Sequence, residues 1–179
     1  MIDLADQVVV VFVVDSMVNL DSKLEKLLAA GYKSLEITLR TKFGLSAISY
    51  VKERYPEVTV GAGTVTTVEE LKTCIDLGAE FCVAPGLNPD LVAVAQNLNF
   101  DFIPGVATPS EVDRAVGMGL ELVKVFPIQQ LGGTGYIKAL SGPFRNVKFM
   151  PTGGVTERNY QDYLSMPSVE CVGGSWMVK

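Results

Sequence analysis

Two stretches place ionisable side chains where an apolar pattern would otherwise run unbroken. In Leu35-Glu36-Ile37-Thr38-Leu39-Arg40 the apolar residues fall on one face of an extended chain, and Glu36, Thr38 and Arg40 on the other. In Leu122-Val123-Lys124-Val125-Phe126 the valines take one face and Lys124 the other. Burying an unpaired charge is costly, so a lysine and a glutamate in such strands require a reason. A structural ion pair between Lys124 and Glu36 is one. The other is chemical: an enclosed amine near a second cation, for which Arg40 is the candidate, sheds its proton more readily and becomes a nucleophile. A carboxylate within reach then serves as general acid and base. Lysine with carboxylate suits Schiff-base chemistry on a carbonyl substrate.

The chain has no histidine. That removes Ser-His-Asp and Cys-His catalysis, His-ligated zinc and any imidazole pH switch. Cys74, Cys82 and Cys171 show no CxxC spacing and are expected to be buried free thiols of a cytoplasmic protein. Glycine pairs form a second constellation. Thr152-Gly153-Gly154 and Gly173-Gly174-Ser175 are expected to follow the seventh and eighth strands. There, exposed backbone N–H groups often hold a phosphate, and the Ser175 hydroxyl would add a donor. Either pair alone also fits an ordinary turn. Gly61-Ala62-Gly63-Thr64 is expected to follow the third strand as a close-approach loop, with Thr64 a carboxylate contact; it lacks the GxGxxG spacing of dinucleotide folds.

The elements that position these residues repeat. Strand-like runs occupy Val8–Val14, Ser34–Thr38, Val58–Val60, Phe81–Ala84, Phe100–Ile103, Leu122–Phe126, Val147–Met150 and Val169–Val172. After the first, their starts lie about 19 to 25 residues apart, with helix-periodic stretches between them. Asn88 before Pro89, Thr108 before Pro109, and Thr156 before Glu157 read as helix starts. Gly31, Gly78 and Gly119 read as helix ends. Eight strands apolar on both faces, alternating with helices, predict an α/β fold: a (β/α)8 TIM barrel forming a single domain over residues 1–179. A doubly wound open sheet is the alternative. Lys179 stands a few residues past the last strand, so the barrel is expected to lack its final C-terminal helix. An N-terminal segment or a partner chain would then cover that face, or the chain is truncated.

The 179 residues are 48% hydrophobic and 20% charged, an ordinary globular composition. A net charge of −5 argues against a nucleic-acid partner. The run Val8–Val14 is about a third of a bilayer span and follows no basic segment, so neither membrane insertion nor a signal peptide is expected.

The segments SLEITLRT, VGAGTV, VAPGLNP, FIPGVATPSE, VKVFP, SGPF, PTGGV and GGSW, in this order, resemble the 2-keto-3-deoxy-6-phosphogluconate (KDPG) aldolase family, which includes the 4-hydroxy-2-oxoglutarate aldolases. The resemblance spans about Val9 to Met177. It implies a class I aldolase without metal or cofactor, on a (β/α)8 barrel, assembled as a homotrimer, with a small keto-acid as substrate. Lys124 stands at the Schiff-base position and Glu36 at that of the proton-transferring carboxylate. Arg40, Thr64 and Thr152 match contacts to the keto-acid end, and Phe126 and Pro85 line the same pocket. Gly153, Gly154, Gly174 and Ser175 match the phosphate loops. The chain departs from the family in having no proline in its first strand, and Ile128-Gln129 where Ala-Glu is commoner. Two other readings stand beside this one: a phosphate-binding barrel with isomerase or synthase chemistry using Glu36 as base, and a truncated, non-catalytic barrel.

Overall fold

The computed structural model describes residues 7–178. The apolar runs form β1 (Val8–Phe12), β2 (Ser34–Thr38), β3 (Thr59–Gly63), β4 (Phe81–Val83), β5 (Asp101–Ile103), β6 (Gly105–Val106), β7 (Leu122–Val125), β8 (Lys148–Pro151) and β9 (Val172–Gly174). Between them lie α1 (Leu20–Ala29), α2 (Gly44–Arg54), α3 (Val68–Asp76), α4 (Pro89–Asn97), α5 (Pro109–Gly117), α6 (Ile128–Leu131), α7 (Thr134–Ser141) and α8 (Tyr160–Leu164). A 3₁₀ turn, Trp176–Val178, follows β9. The result is an α/β fold with a curled parallel sheet and eight α-helices among the described residues.

Six strands pair in the order β5-β4-β3-β2-β1-β9 and three in the order β6-β7-β8, all parallel. Only Pro104 separates β5 from β6. Lacking an N–H, it interrupts the ladder, while its carbonyl accepts from Lys124 N at 2.9 Å. Parallel bridges Phe149–Val169 and Thr152–Gly173 run from β8 toward the last strand.

Alternation sorts the strand residues onto two faces, the outer one packing in two clusters, with Val106, Val123, Val125 and Phe149 in the second. Val10, Phe12, Leu35, Ile37, Val60, Ala62 and Cys82 pack outward with residues of the helices. Val9, Phe81, Val83, Ile103, Leu122, Met150 and Cys171 fill the concave side. Large and small residues alternate there: a Cβ at Gly61 would overlap the Phe81 ring.

The helix ends follow the sequence in most places. Asn88 accepts from Asp90 N at 3.0 Å and Thr108 from Glu111 N at 3.3 Å, each capping a helix that starts on proline. Gly31, Gly78 and Gly119 take left-handed φ values of 90°, 88° and 77°. The start expected at Thr156 is displaced. Thr156 N donates to Asn159 Oδ1 at 2.7 Å, closing a turn, and α8 begins four residues later. Two glycine segments expected as loops are strand residues instead. Gly61 and Gly63 belong to β3, and Gly173 and Gly174 to β9: the missing side chains leave room for Phe81, Glu36 and Thr152 on the concave face, and for Trp176 at Gly174 on the other.

Candidate active site

Inward-facing positions of β2 and β7 bring Glu36 and Lys124 together across the concave side. Both are buried, at 1% and 6% exposure. Lys124 Nζ donates to Glu36 Oε1 at 3.2 Å. Room for the carboxylate comes from Gly63 on the neighbouring strand, where a Cβ would overlap Oε1. Glu36 Oε2 is buried with no hydrogen-bond partner among the described residues, as is Thr38 Oγ1 on the same strand face. Lys124 Nζ also stands 5.5 Å from the centroid of the Phe126 ring, within cation–π range. Desolvation offsets much of the attraction within such a pair, so stability alone does not account for it.

The pair forms part of the wall of a cavity of about 330 Å³. All of the other candidate residues line it: Arg40, Thr64, Pro85, Phe126, Thr152, Gly153, Gly154, Gly174 and Ser175. Arg40 does not extend the strand face of Glu36 as its spacing suggests. The strand stops at Thr38, and Arg40 sits exposed in the following turn without an ion pair among the described residues. Thr64, immediately past β3, holds φ at 63°, an unfavourable left-handed conformation for a β-branched residue. Thr152 is 5% exposed, and its N–H donates to Val125 O at 3.0 Å. Gly153 and Gly154 have φ near 90° and 89° and lie against Phe126 and Gln129. Ile128 N donates to Thr152 O at 2.8 Å and Gln129 N to Gly153 O at 3.0 Å, which fixes this glycine loop on α6.

Val11, Val155 and Gly173 complete the wall and were not singled out as site residues. The valines are indistinguishable from core residues in the sequence; Gly173 was visible as the neighbour of Gly174. Among the described residues no group of three His, Cys, Asp or Glu side chains could hold a metal ion. A separate cavity of about 210 Å³ opens at the opposite ends of the strands, between Gln96, Asp101 and Glu121, and no lysine lines it.

A buried lysine–carboxylate pair thus lines the cavity from the concave faces of two strands. A family model for KDPG and KHG aldolase matches residues 3–179. The chain belongs to the KDPG and KHG aldolase family. It is 40% identical over 174 residues to the 2-dehydro-3-deoxy-phosphogluconate aldolase of Dickeya dadantii, covering 97% of this chain and 82% of that one. To the KHG/KDPG aldolase of Escherichia coli it is 40% identical over 171 residues, covering 96% and 80%. Among solved structures, the KDPG aldolase from Legionella pneumophila superposes with a TM-score of 0.92 at 39% identity, over 97% of this chain and 84% of the other. That structure holds pyruvate captured at low pH as a covalent carbinolamine intermediate. Aldolases of this family thus include one caught in covalent union with a keto-acid.

Proposed function

We propose that this protein is a class I aldolase that cleaves 2-keto-3-deoxy-6-phosphogluconate to pyruvate and glyceraldehyde 3-phosphate, 4-hydroxy-2-oxoglutarate to pyruvate and glyoxylate, or both. The observation that carries the reading is the buried Lys124–Glu36 pair, 3.2 Å apart on the wall of a substrate-sized cavity. An isomerase or synthase using Glu36 as base leaves the enclosed amine without a chemical role, and a non-catalytic barrel leaves the whole pair without one.

Glu36 takes a proton from the Lys124 ammonium; the neutral amine attacks the keto carbon, and Glu36 passes that proton to the carbinolamine hydroxyl, which leaves as water and gives a protonated imine. The imine draws electrons from the breaking C3–C4 bond while Glu36 takes the proton of the C4 hydroxyl. The aldehyde departs and leaves an enamine. Glu36 returns the proton to the terminal carbon, and hydrolysis frees pyruvate and the amine. Arg40, Thr64 and Thr152 would hold the keto-acid carboxylate, with Phe126 and Pro85 packing beside it. Backbone N–H groups of Gly153, Gly154 and Gly174, with the Ser175 hydroxyl, would hold the phosphate.

The proposed architecture is a (β/α)8 barrel in which β5 and β6 form one strand interrupted at Pro104. The pairing order and the β8–β9 bridges support closure; no α-helix follows β9 among the described residues. A homotrimer and a cytoplasmic setting complete the proposal. The exposed Val18 and Leu45, at 72% and 37%, support association, and three free buried cysteines fit a reducing compartment. Among the described residues no helix is long and apolar enough to cross a membrane.

Pyruvate release from each keto-acid, coupled to a reductase, tests the function. Cleavage of either substrate is expected, and Ser175→Ala should raise KM for the phosphorylated one alone. Absence of pyruvate from both would overturn the reading.

A further inference from the structure

The Gly153-Gly154 loop and the Gly174-Ser175 end of β9 lie about 20 residues apart in the chain, and both are tied to two consecutive residues at the start of α8. Asn159 serves the first. Its Oδ1 accepts from Thr156 N at 2.7 Å, and its Nδ2 donates to Gly154 O at 3.4 Å. Tyr160 serves the second. Its ring stacks on Trp176 with centroids 5.4 Å apart and planes 28° from parallel. Trp176 in turn lies so close to Gly174 that a Cβ there would overlap the indole. Of these three side chains none lines the cavity.

We infer that Asn159, Tyr160 and Trp176 are positioning residues that set the spacing between the Gly153-Gly154 and Gly174-Ser175 segments, and so select substrates carrying a phosphoryl group at the end remote from the keto-acid. The inference rests on the phosphate reading of those segments. Backbone N–H donors gain strength only when they converge on one anion, and each segment alone supplies part of the set. A single helix start holding both segments fixes their separation before the substrate arrives, which removes an ordering cost from binding. Lys124 and Glu36 stand on β7 and β2 of the same cavity wall, and neither bonds to Asn159, Tyr160 or Trp176. The clamp therefore acts on binding of one substrate class and not on turnover.

The test compares 2-keto-3-deoxygluconate with its 6-phosphate in the full-length protein, together with inhibition by inorganic phosphate. Tyr160→Leu removes the stack, Tyr160→Phe keeps it, and Asn159→Ala loosens the other loop without touching the aromatic pair. Tyr160→Leu and Asn159→Ala should each raise KM for the phosphorylated substrate, and the inhibition constant for phosphate, by about tenfold. Their kcat, and KM for the unphosphorylated sugar acid, should stay within about twofold of the parent, and Tyr160→Phe should match the parent throughout. Should Tyr160→Leu fail to fold, Asn159→Ala carries the same comparison. Equal changes for both substrates, or none, would overturn the clamp alone. A parent enzyme that neither favours the phosphorylated substrate nor binds phosphate would overturn the phosphate reading beneath it as well.

Discussion

Glu36 turns one carboxylate oxygen to Lys124 Nζ at 3.2 Å and keeps the other buried without a partner among the described residues. One oxygen orients the amine; the other remains available to a substrate proton. A carboxylate that only neutralised the lysine would have no use for this division. Replacing Glu36 by Gln keeps the shape and removes the base. Turnover of Glu36→Gln should fall by about 10² to 10⁴, the range that positioned proton transfer contributes. Steady-state pyruvate release measures it, and a loss under about tenfold would remove Glu36 from proton transfer.

Gly63 is the residue that gives this carboxylate its place. Gly63→Ala should push the side chain off its position, with kcat falling by about 10²-fold. The overpacking should also cost about 1–3 kcal/mol of stability. Gly61→Ala, which meets the Phe81 ring instead, should be destabilised to a similar degree, with kcat of the folded enzyme changed less than about threefold. Thermal melts and kinetics on both variants separate the effects. Parallel losses of activity would show that Gly63 matters only for packing.

Thr64 holds a left-handed backbone at the cavity wall, a conformation that costs about 1–3 kcal/mol for a β-branched residue. Glycine relieves that strain but loses about 0.5–1 kcal/mol to backbone entropy. Thr64→Gly should therefore be more stable by about 1 kcal/mol, a melting-temperature rise of about 2–4 °C. Its KM for the keto-acid should rise as the hydroxyl is lost. A fall in melting temperature would contradict the strain argument.

Away from the site, the Tyr55 and Tyr50 hydroxyls donate to Asp21 at 2.8 and 2.9 Å, and Arg54 lies 3.2 Å away. Chiefly through the Tyr55 hydrogen bond, the Asp21 carboxyl is held below its ordinary 3.8. Unfolded chains therefore bind this proton first as acid is added. The stabilisation is complete above pH about 4 and is lost as pH falls through the lowered native value. In melts between pH about 5 and about 2, Asp21→Asn should flatten the acid limb relative to the parent. Identical slopes would assign acid unfolding to other groups.

Burial, with Glu170 and Glu36 nearby, pushes the Cys171 thiol up to about 12. A hydrogen bond with Cys74 pushes Cys82 up and Cys74 down, and all three thiols are buried. Native protein should resist a thiol-specific reagent at pH about 8 and react fully once unfolded. Rapid native labelling would contradict the packing of the outer core around Cys74 and Cys82 and of the concave core around Cys171.

Much of this was legible in the sequence where two periodicities collide. β2 was readable residue for residue because Glu36 and Thr38 alternate with Leu35 and Ile37. Lys124 stood out between Val123 and Val125 for the same reason. Arg40 misled, since alternation says nothing about where a strand stops. The split at Pro104 was hidden because an interrupted strand looks the same as its end. Glycines 61, 63, 173 and 174 read as loops since the sequence does not reveal which neighbour needs their space. Asn159 and Tyr160 gave no signal, as their partners lie five and sixteen residues away and form only once α8 packs against β9.

The central claim is a covalent bond between Lys124 and the keto carbon of the substrate. Borohydride reduction in the presence of pyruvate, followed by peptide mass spectrometry, tests it most directly. A reduced pyruvate adduct on Lys124, absent from Lys124→Ala, is the expected result. An adduct on another lysine that persists undiminished in Lys124→Ala, or no adduct in an enzyme that releases pyruvate, would contradict the claim.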